Sequence, residues 1–143
     1  MQIQPIKLTE LTVGQVMQLE RVVTEQIVRD YASITGDWNK IHVDKAFAAR
    51  TPFKECVVHG SLLSGFASAL IAMQLGAHVM SADAKFRSPV KVGATVVVRV
   101  TVKRIKKKLV KVAYVCFVKE TPDVSAIEGE ALCGVWDPTT PIT

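Results

Sequence analysis

Hydrophobic positions recur along this chain with two different periods. Val96, Val98, Val100 and Val102 fall on every second residue, and so do Val110, Val112, Tyr114, Cys116 and Val118. A period of two is that of a strand with one face buried. Met80, Ala82, Ala84 and Phe86 alternate with Ser81, Asp83, Lys85 and Arg87 and predict another strand. Residues 16–23 and about 126–136 predict a first and a last strand, and Ile105-Lys106-Lys107-Lys108 reads as the tip of a long hairpin. The other period is helical. Ile27, Tyr31 and Ile34, spaced by four and three, predict a helix over about 25–35. Thr24 suits its N-cap, Glu25 its first turn and Gly36 its left-handed stop.

A second helix is predicted over about 60–75. Leu62, Leu63, Phe66, Leu70, Ile71 and Met73 make it apolar over much of its circumference, and Gly60, Ser61, Ser64, Gly65, Ala67, Ser68 and Ala69 give it a small face. Such a helix belongs largely inside the fold. Asp44 is placed to cap a short helix through Lys45–Ala49, which Pro52 keeps from continuing. Asp37 to His42 has no periodicity and reads as a loop. Strand, helices, then four strands make an α+β layout, an antiparallel sheet curled round the central helix. Residues 1–143 are read as a single domain with one core.

Composition narrows the classes of function. Hydrophobic residues make up 49% of the chain and charged residues 22%, the balance of an ordered globular protein. No apolar run is long enough to span a bilayer, and Met1–Pro5 lacks the features of a signal peptide, so a cytoplasmic protein without membrane contact is expected. Cys56, Cys116 and Cys133 fit neither a zinc cluster nor a redox pair and are read as buried reduced thiols. The net charge of +5 favours anionic partners. Nucleic acid is set aside, because aromatic residues are only 6% of the chain and none interleave with the basic run.

The chemistry concentrates between Tyr31 and Ala48. Asp37, Asn39 and His42 lie within six residues. Neither a helix nor a strand brings positions five apart onto one face, but a tight loop can converge them. A carboxylate, an amide that can hold a water, and an imidazole that titrates near neutrality are the parts of an acid/base site. Gly36, Asp37 and Asn39 are equally ordinary turn residues, and the spacing alone leaves both readings open.

Two further blocks accompany this stretch. Tyr31, Gly36-Asp37-Trp38-Asn39, His42, Asp44 and Phe47-Ala48 come first, then Val58-His59-Gly60-Ser61-Leu62, then Phe86-Arg87-Ser88-Pro89-Val90-Lys91-Val92-Gly93. In this order they resemble the signature of the R-specific enoyl-CoA hydratases, the MaoC-like hydratases of the hot-dog fold superfamily. The resemblance implies water addition to a trans-2-enoyl thioester to give an R-3-hydroxyacyl product. It implies that Asp37 and His42 activate the water, that Asn39 supports the loop and the water, and that the Gly60 N–H faces the thioester oxygen. A donor at a helix start suits that task, since enolate charge builds on this oxygen. Ser68 matches a polar position near the Asp. The resemblance also implies a homodimer, with sites at or near the subunit interface. No cofactor and no metal are expected beyond the coenzyme A or acyl carrier protein that forms part of the substrate.

One position departs from the motif: Lys40 stands where Pro is usual. Pro would stiffen the loop, whereas Lys40 leaves it freer and adds a charge able to act on Asp37 or on a phosphate. His59 reads as holding the turn before the central helix, with a second catalytic imidazole as the alternative. A Cys56–His59 nucleophile lacks a third orienting group, and His78 is read as a surface residue. Lys103–Lys108 is a solvated tip or a contact for coenzyme A phosphates or an acidic carrier. The readings carried forward are a hydratase, a 3-hydroxyacyl-acyl-carrier-protein dehydratase, an acyl-CoA thioesterase and a non-catalytic thioester-binding module.

Overall fold

A computed structural model describes residues 6–135. Strand β1 (Val16–Val22) leads into helix α1 (Glu25–Thr35). The Thr24 side chain accepts the Ile27 N–H at 3.2 Å, and Gly36 ends the helix at φ 80°. These caps satisfy end groups that the helix itself leaves open. Val28 and Ala32 are the buried positions, with Ile27 and Tyr31 packed beside them. The expected stripe is corrected at Ile34, which is 83% exposed. It lies in the last turn, on the flank of the buried face.

The stretch expected to be a loop is partly helical. Asp37–Asn39 is irregular, but Lys40–Val43 forms a single turn, α2, which contains His42. Asn39 caps it by accepting the Ile41 N–H at 3.2 Å. Asp44 then caps α3 (Lys45–Ala49) by accepting the Phe47 N–H at 2.9 Å. The central helix α4 runs Gly60–Leu75 and stops at Gly76, φ 57°. Its buried residues are Leu62, Leu63, Ala67, Leu70, Ile71 and Leu75.

The expected strand over 80–87 is two pieces, β2 (Ala77–Ala82) and β3 (Lys85–Phe86). Asp83 makes the break. Its N–H donates to the Glu130 carbonyl at 3.0 Å, its Oδ1 accepts the Glu130 N–H at 3.1 Å, and its carbonyl takes the Tyr114 hydroxyl. A side chain has therefore replaced one rung of the ladder. Register also slips between Val79 and Ser81, which leaves Met80 exposed. β4 (Thr95–Lys106), β5 (Leu109–Val118) and β6 (Ser125–Val135) complete the sheet. Trp136, given to the last strand above, and Met1–Pro5 lie outside the described residues.

Strand order is β1-β4-β5-β6-β2, antiparallel throughout, with β3 beside β6. The sheet packs on α4 through Val96, Val98, Val100, Val102, Val110 and Val112, all buried. Each contributes about 1.5–3 kcal/mol of burial free energy. This is the hot-dog arrangement. Cys116 and Cys133 are buried thiols, pushed up by desolvation to about 12 and about 11. Cys56 is only half-buried, a correction to its expected place in the core. Among the described residues, no helix is long and apolar enough to cross a membrane.

Candidate active site

The site gathers at the start of α4, where the chain around Asp37 meets the segment Val57–Ser61. The Asp37 side is prepared locally. Thr35 Oγ donates to the Tyr31 carbonyl at 2.8 Å and accepts the Asp37 N–H at 3.2 Å. The Asp37 carboxylate in turn accepts the Asn39 N–H through Oδ1 at 3.2 Å. Turn-forming side chains thus fold the backbone around the carboxylate and leave Oδ2 facing inward. Lys40 occupies the first position of α2, where the backbone N–H has no intrahelical partner. Replacing Pro by Lys therefore costs the turn little, and the Asn39 cap supplies order that Pro would otherwise give.

His42 is held from the opposite side. Its Nδ1 lies 2.7 Å from the Val57 carbonyl. A carbonyl only accepts, so Nδ1 carries a proton, and in the neutral ring Nε2 presents a bare lone pair. That Nε2 lies 3.9 Å from Asp37 Oδ2. The gap is too long for a direct hydrogen bond and suits one water bonded to both groups. Asp37 is 48% exposed and His42 13%, so the pair sits at the mouth of the fold, open on the carboxylate side.

The third member, His59, is 1% exposed and precedes Gly60 at the N-cap of α4. Its ring stacks on His42 with centroids 3.8 Å apart, and the Tyr31 ring meets it edge-on at 4.9 Å. Its Nε2 bonds the Asp37 main-chain carbonyl at 3.0 Å and lies 3.9 Å from Asp37 Oδ2. Tyr31 is tied in turn by a 2.6 Å bond between its hydroxyl and Ser61 Oγ. Asp37, His42 and His59 bring ligand-type atoms within 4.8 Å of one another, which the chain spacing did not reveal. His59 Nε2 is already engaged with Asp37 O, however, so a cation could reach it only by breaking that bond. The arrangement as it stands holds protons.

Gly60 begins α4, beside the stacked imidazoles. A Cβ built on it would lie 2.5 Å from the Phe86 ring, so the aromatic of the third block occupies the space a side chain would need. Ser68 is exposed two turns along the helix, about 12 Å from Gly60 by helical rise. It lines a groove of about 310 Å³ with Ser61, Ser64, Ile71, Val79 and Tyr114, a lining that does not include Asp37. On its other side His42 faces a cleft of about 340 Å³ with Val28, Arg29, Lys45 and Cys56. Burial raises the Cys56 thiol above its ordinary range, which opposes a thiolate nucleophile there.

The arrangement can be set beside known proteins. The MaoC-like domain matches residues 9–121. The chain belongs to this family. A 3-hydroxybutyryl-CoA dehydratase of Methylorubrum extorquens is 36% identical, over 88% of this chain and 82% of its own length. An (R)-specific enoyl-CoA hydratase of Rhodospirillum rubrum is 35% identical, over 82% and 83%. The solved (R)-hydratase of A. caviae superposes with a TM-score of 0.83 at 29% identity, covering 88% of this chain and 98% of that one. This member of the MaoC-like family is accordingly a hydro-lyase of the hydratase/dehydratase kind.

Proposed function

We propose that the chain is an R-specific enoyl-CoA hydratase, and that the carrying observation is the 3.9 Å gap between His42 Nε2 and Asp37 Oδ2. A water held there donates one hydrogen bond to each group. His42 Nε2, with its lone pair free, takes a proton as the water oxygen bonds to Cβ of the enoyl thioester. The electron pair of the double bond moves onto the thioester oxygen as an enolate. The position of the Gly60 N–H, at the positive end of α4, supports a role as donor to that oxygen. Collapse of the enolate takes a proton back at Cα, on the same face, from the Asp37–His42 pair. Atoms balance with one water added, no redox change and no cofactor. In reverse the same residues carry out dehydration of a 3-hydroxyacyl thioester, on coenzyme A or on acyl carrier protein.

The active form is proposed to be a homodimer. β2 pairs β6 on one side only, an open sheet edge among the described residues, and Met73 and Met80 are both more than half exposed near it. Multi-angle scattering giving a monomer mass would overturn this part. The groove containing Ser68 is the proposed path of the acyl chain.

Crotonyl-CoA provides the test. Hydration removes the absorbance of the conjugated enoyl thioester and releases no thiol, and chiral analysis returns the R alcohol. Thiol release would instead mark a thioesterase. Binding of the thioester with neither change would mark a binding module. Offering one acyl chain on coenzyme A and on carrier protein separates the hydratase from the carrier-protein dehydratase.

A further inference from the structure

His59 is more deeply buried than either member of the proposed pair and is used by neither step above. The chain around Asp37 is otherwise secured only to itself. Among the described residues, the hydrogen bonds of Gly36–Asn39 join positions no more than four apart. The exception is the 3.0 Å bond from His59 Nε2 to the Asp37 carbonyl, across 22 residues. That single bond ties the half-exposed aspartate to the buried start of α4.

We propose that His59 is a positioning residue whose Nε2–H sets the distance between the Asp37 carboxylate and His42. The proposal rests on the hydratase reading for its kinetic consequence, but not for its structural content. The Asp37 carbonyl only accepts, so His59 carries its proton on Nε2. His42, held by Val57 O, carries its proton on Nδ1. Two rings stacked 3.8 Å apart are therefore opposite tautomers, each fixed by a main-chain carbonyl. The stack blocks His42 from rotating towards α4, and the Nε2–H stops Asp37 from drifting outward.

The cost of this arrangement is visible. His59 Nδ1, left as a bare acceptor, is buried without a hydrogen-bond partner. An orphan of this kind costs about 1–3 kcal/mol. A phenyl ring would fill the space between Tyr31 and His42 without that cost. The imidazole differs from it in what Nε2 supplies, and what Nε2 supplies is the bond to Asp37.

The tautomers are tested first, on the unaltered protein, by long-range 15N–1H correlation of the imidazoles. The expected result is His59 protonated at Nε2 and His42 at Nδ1. A His59 protonated at Nδ1, with Nε2 bare, overturns the proposal whether or not the protein hydrates enoyl thioesters. The kinetic arm uses two variants. His59→Phe keeps the stacked ring and loses the donor; His59→Gln keeps a donor near the Nε2 position and loses the ring. Misplacing a reacting group by about 1 Å costs up to about 100-fold, so H59F should lose about 10- to 100-fold in kcat with KM changed by less than about threefold. H59Q should recover at least about tenfold of that loss. Near-normal kcat in folded H59F overturns the proposal, and so does an equal loss in both variants. If H59F does not fold, the tautomer measurement and H59Q decide: H59Q falling as far as His42→Ala counts against it.

Discussion

The two sides of the site are built in opposite ways. The Asp37 side is exposed, irregular and closed by short-range bonds among Thr35, Asp37 and Asn39. The other side is buried at Val57–His59 and held from far away in the chain: His59 reaches Asp37, Ser61 reaches Tyr31, and the Val57 carbonyl holds His42. One side supplies a reactive group that must meet solvent and substrate. The other supplies a frame that must not move. A local turn can place a carboxylate, but only packing against the core keeps two such groups a water's width apart.

That contrast can be broken most severely at the pair itself. Asp37→Asn keeps the Oδ1 acceptor for the Asn39 N–H and removes the charge; His42→Ala removes the base. Each should lower kcat/KM by about 100- to 10,000-fold, the span of general acid–base catalysis, with melting temperature nearly unchanged. Crotonyl-CoA turnover and a thermal melt check it, and near-normal turnover in either variant would sink the assignment.

Gly60→Ala strikes the frame. The new methyl meets the Phe86 ring, which is 61% exposed and able to swing away. Stability should fall by only about 1 kcal/mol, at the low end for overpacking, while kcat falls at least about tenfold as the donor site is crowded, one lost oxyanion donor being worth still more. If G60A/F86A recovers the stability and not the rate, the loss belongs to the donor and not to the ring.

Tyr31→Phe is milder. It deletes the hydroxyl bonded to Ser61 Oγ and keeps the edge contact with His59. A loss of about 1 kcal/mol is expected in chemical denaturation, with kcat within a few-fold.

The smallest effect belongs to Lys40→Pro. Asn39 already has ψ 129°, the extended conformation that a following proline demands, and position 40 is the first of α2. The expected result is unchanged kcat and a gain of up to about 0.5–1 kcal/mol from the stiffer unfolded chain. A marked loss in either would show that the Lys40 N–H or side chain is doing something the turn geometry does not explain.

How far the residues foretold this arrangement follows the same division. Helices 25–35 and 60–75 were readable, the first from a side-chain cap and a glycine stop beside an apolar rhythm, the second from an apolar run that Gly60 opens and Gly76 closes. α2 was not, since a single turn has no room for periodicity. Ile34 shows that matching spacing does not settle which flank of a stripe is buried. The break at Asp83 was hidden because alternation continues straight across it, while the bonds that interrupt the ladder go to Glu130 and Tyr114, strands away. At the site, Asp37, Asn39 and His42 lie close together in the chain and could be grouped by eye. His59 was singled out only through the second block, as holding the turn before the central helix or as a second imidazole; its link to Asp37 and His42 is a hydrogen bond across 22 residues and a ring stack that chain spacing does not encode.

The bond from His42 Nδ1 to the Val57 carbonyl has a consequence for anyone mapping this protein by mutation. Every amino acid carries that carbonyl. A complete scan of position 57 would report only how well each side chain packs, and the atom holding the imidazole would survive all of its substitutions. Its contribution becomes visible only when the backbone itself is edited, as by replacing the 57–58 amide with an ester whose carbonyl is the poorer acceptor, read against the separate loss of the Val58 N–H that donates to the Val90 carbonyl at 2.8 Å.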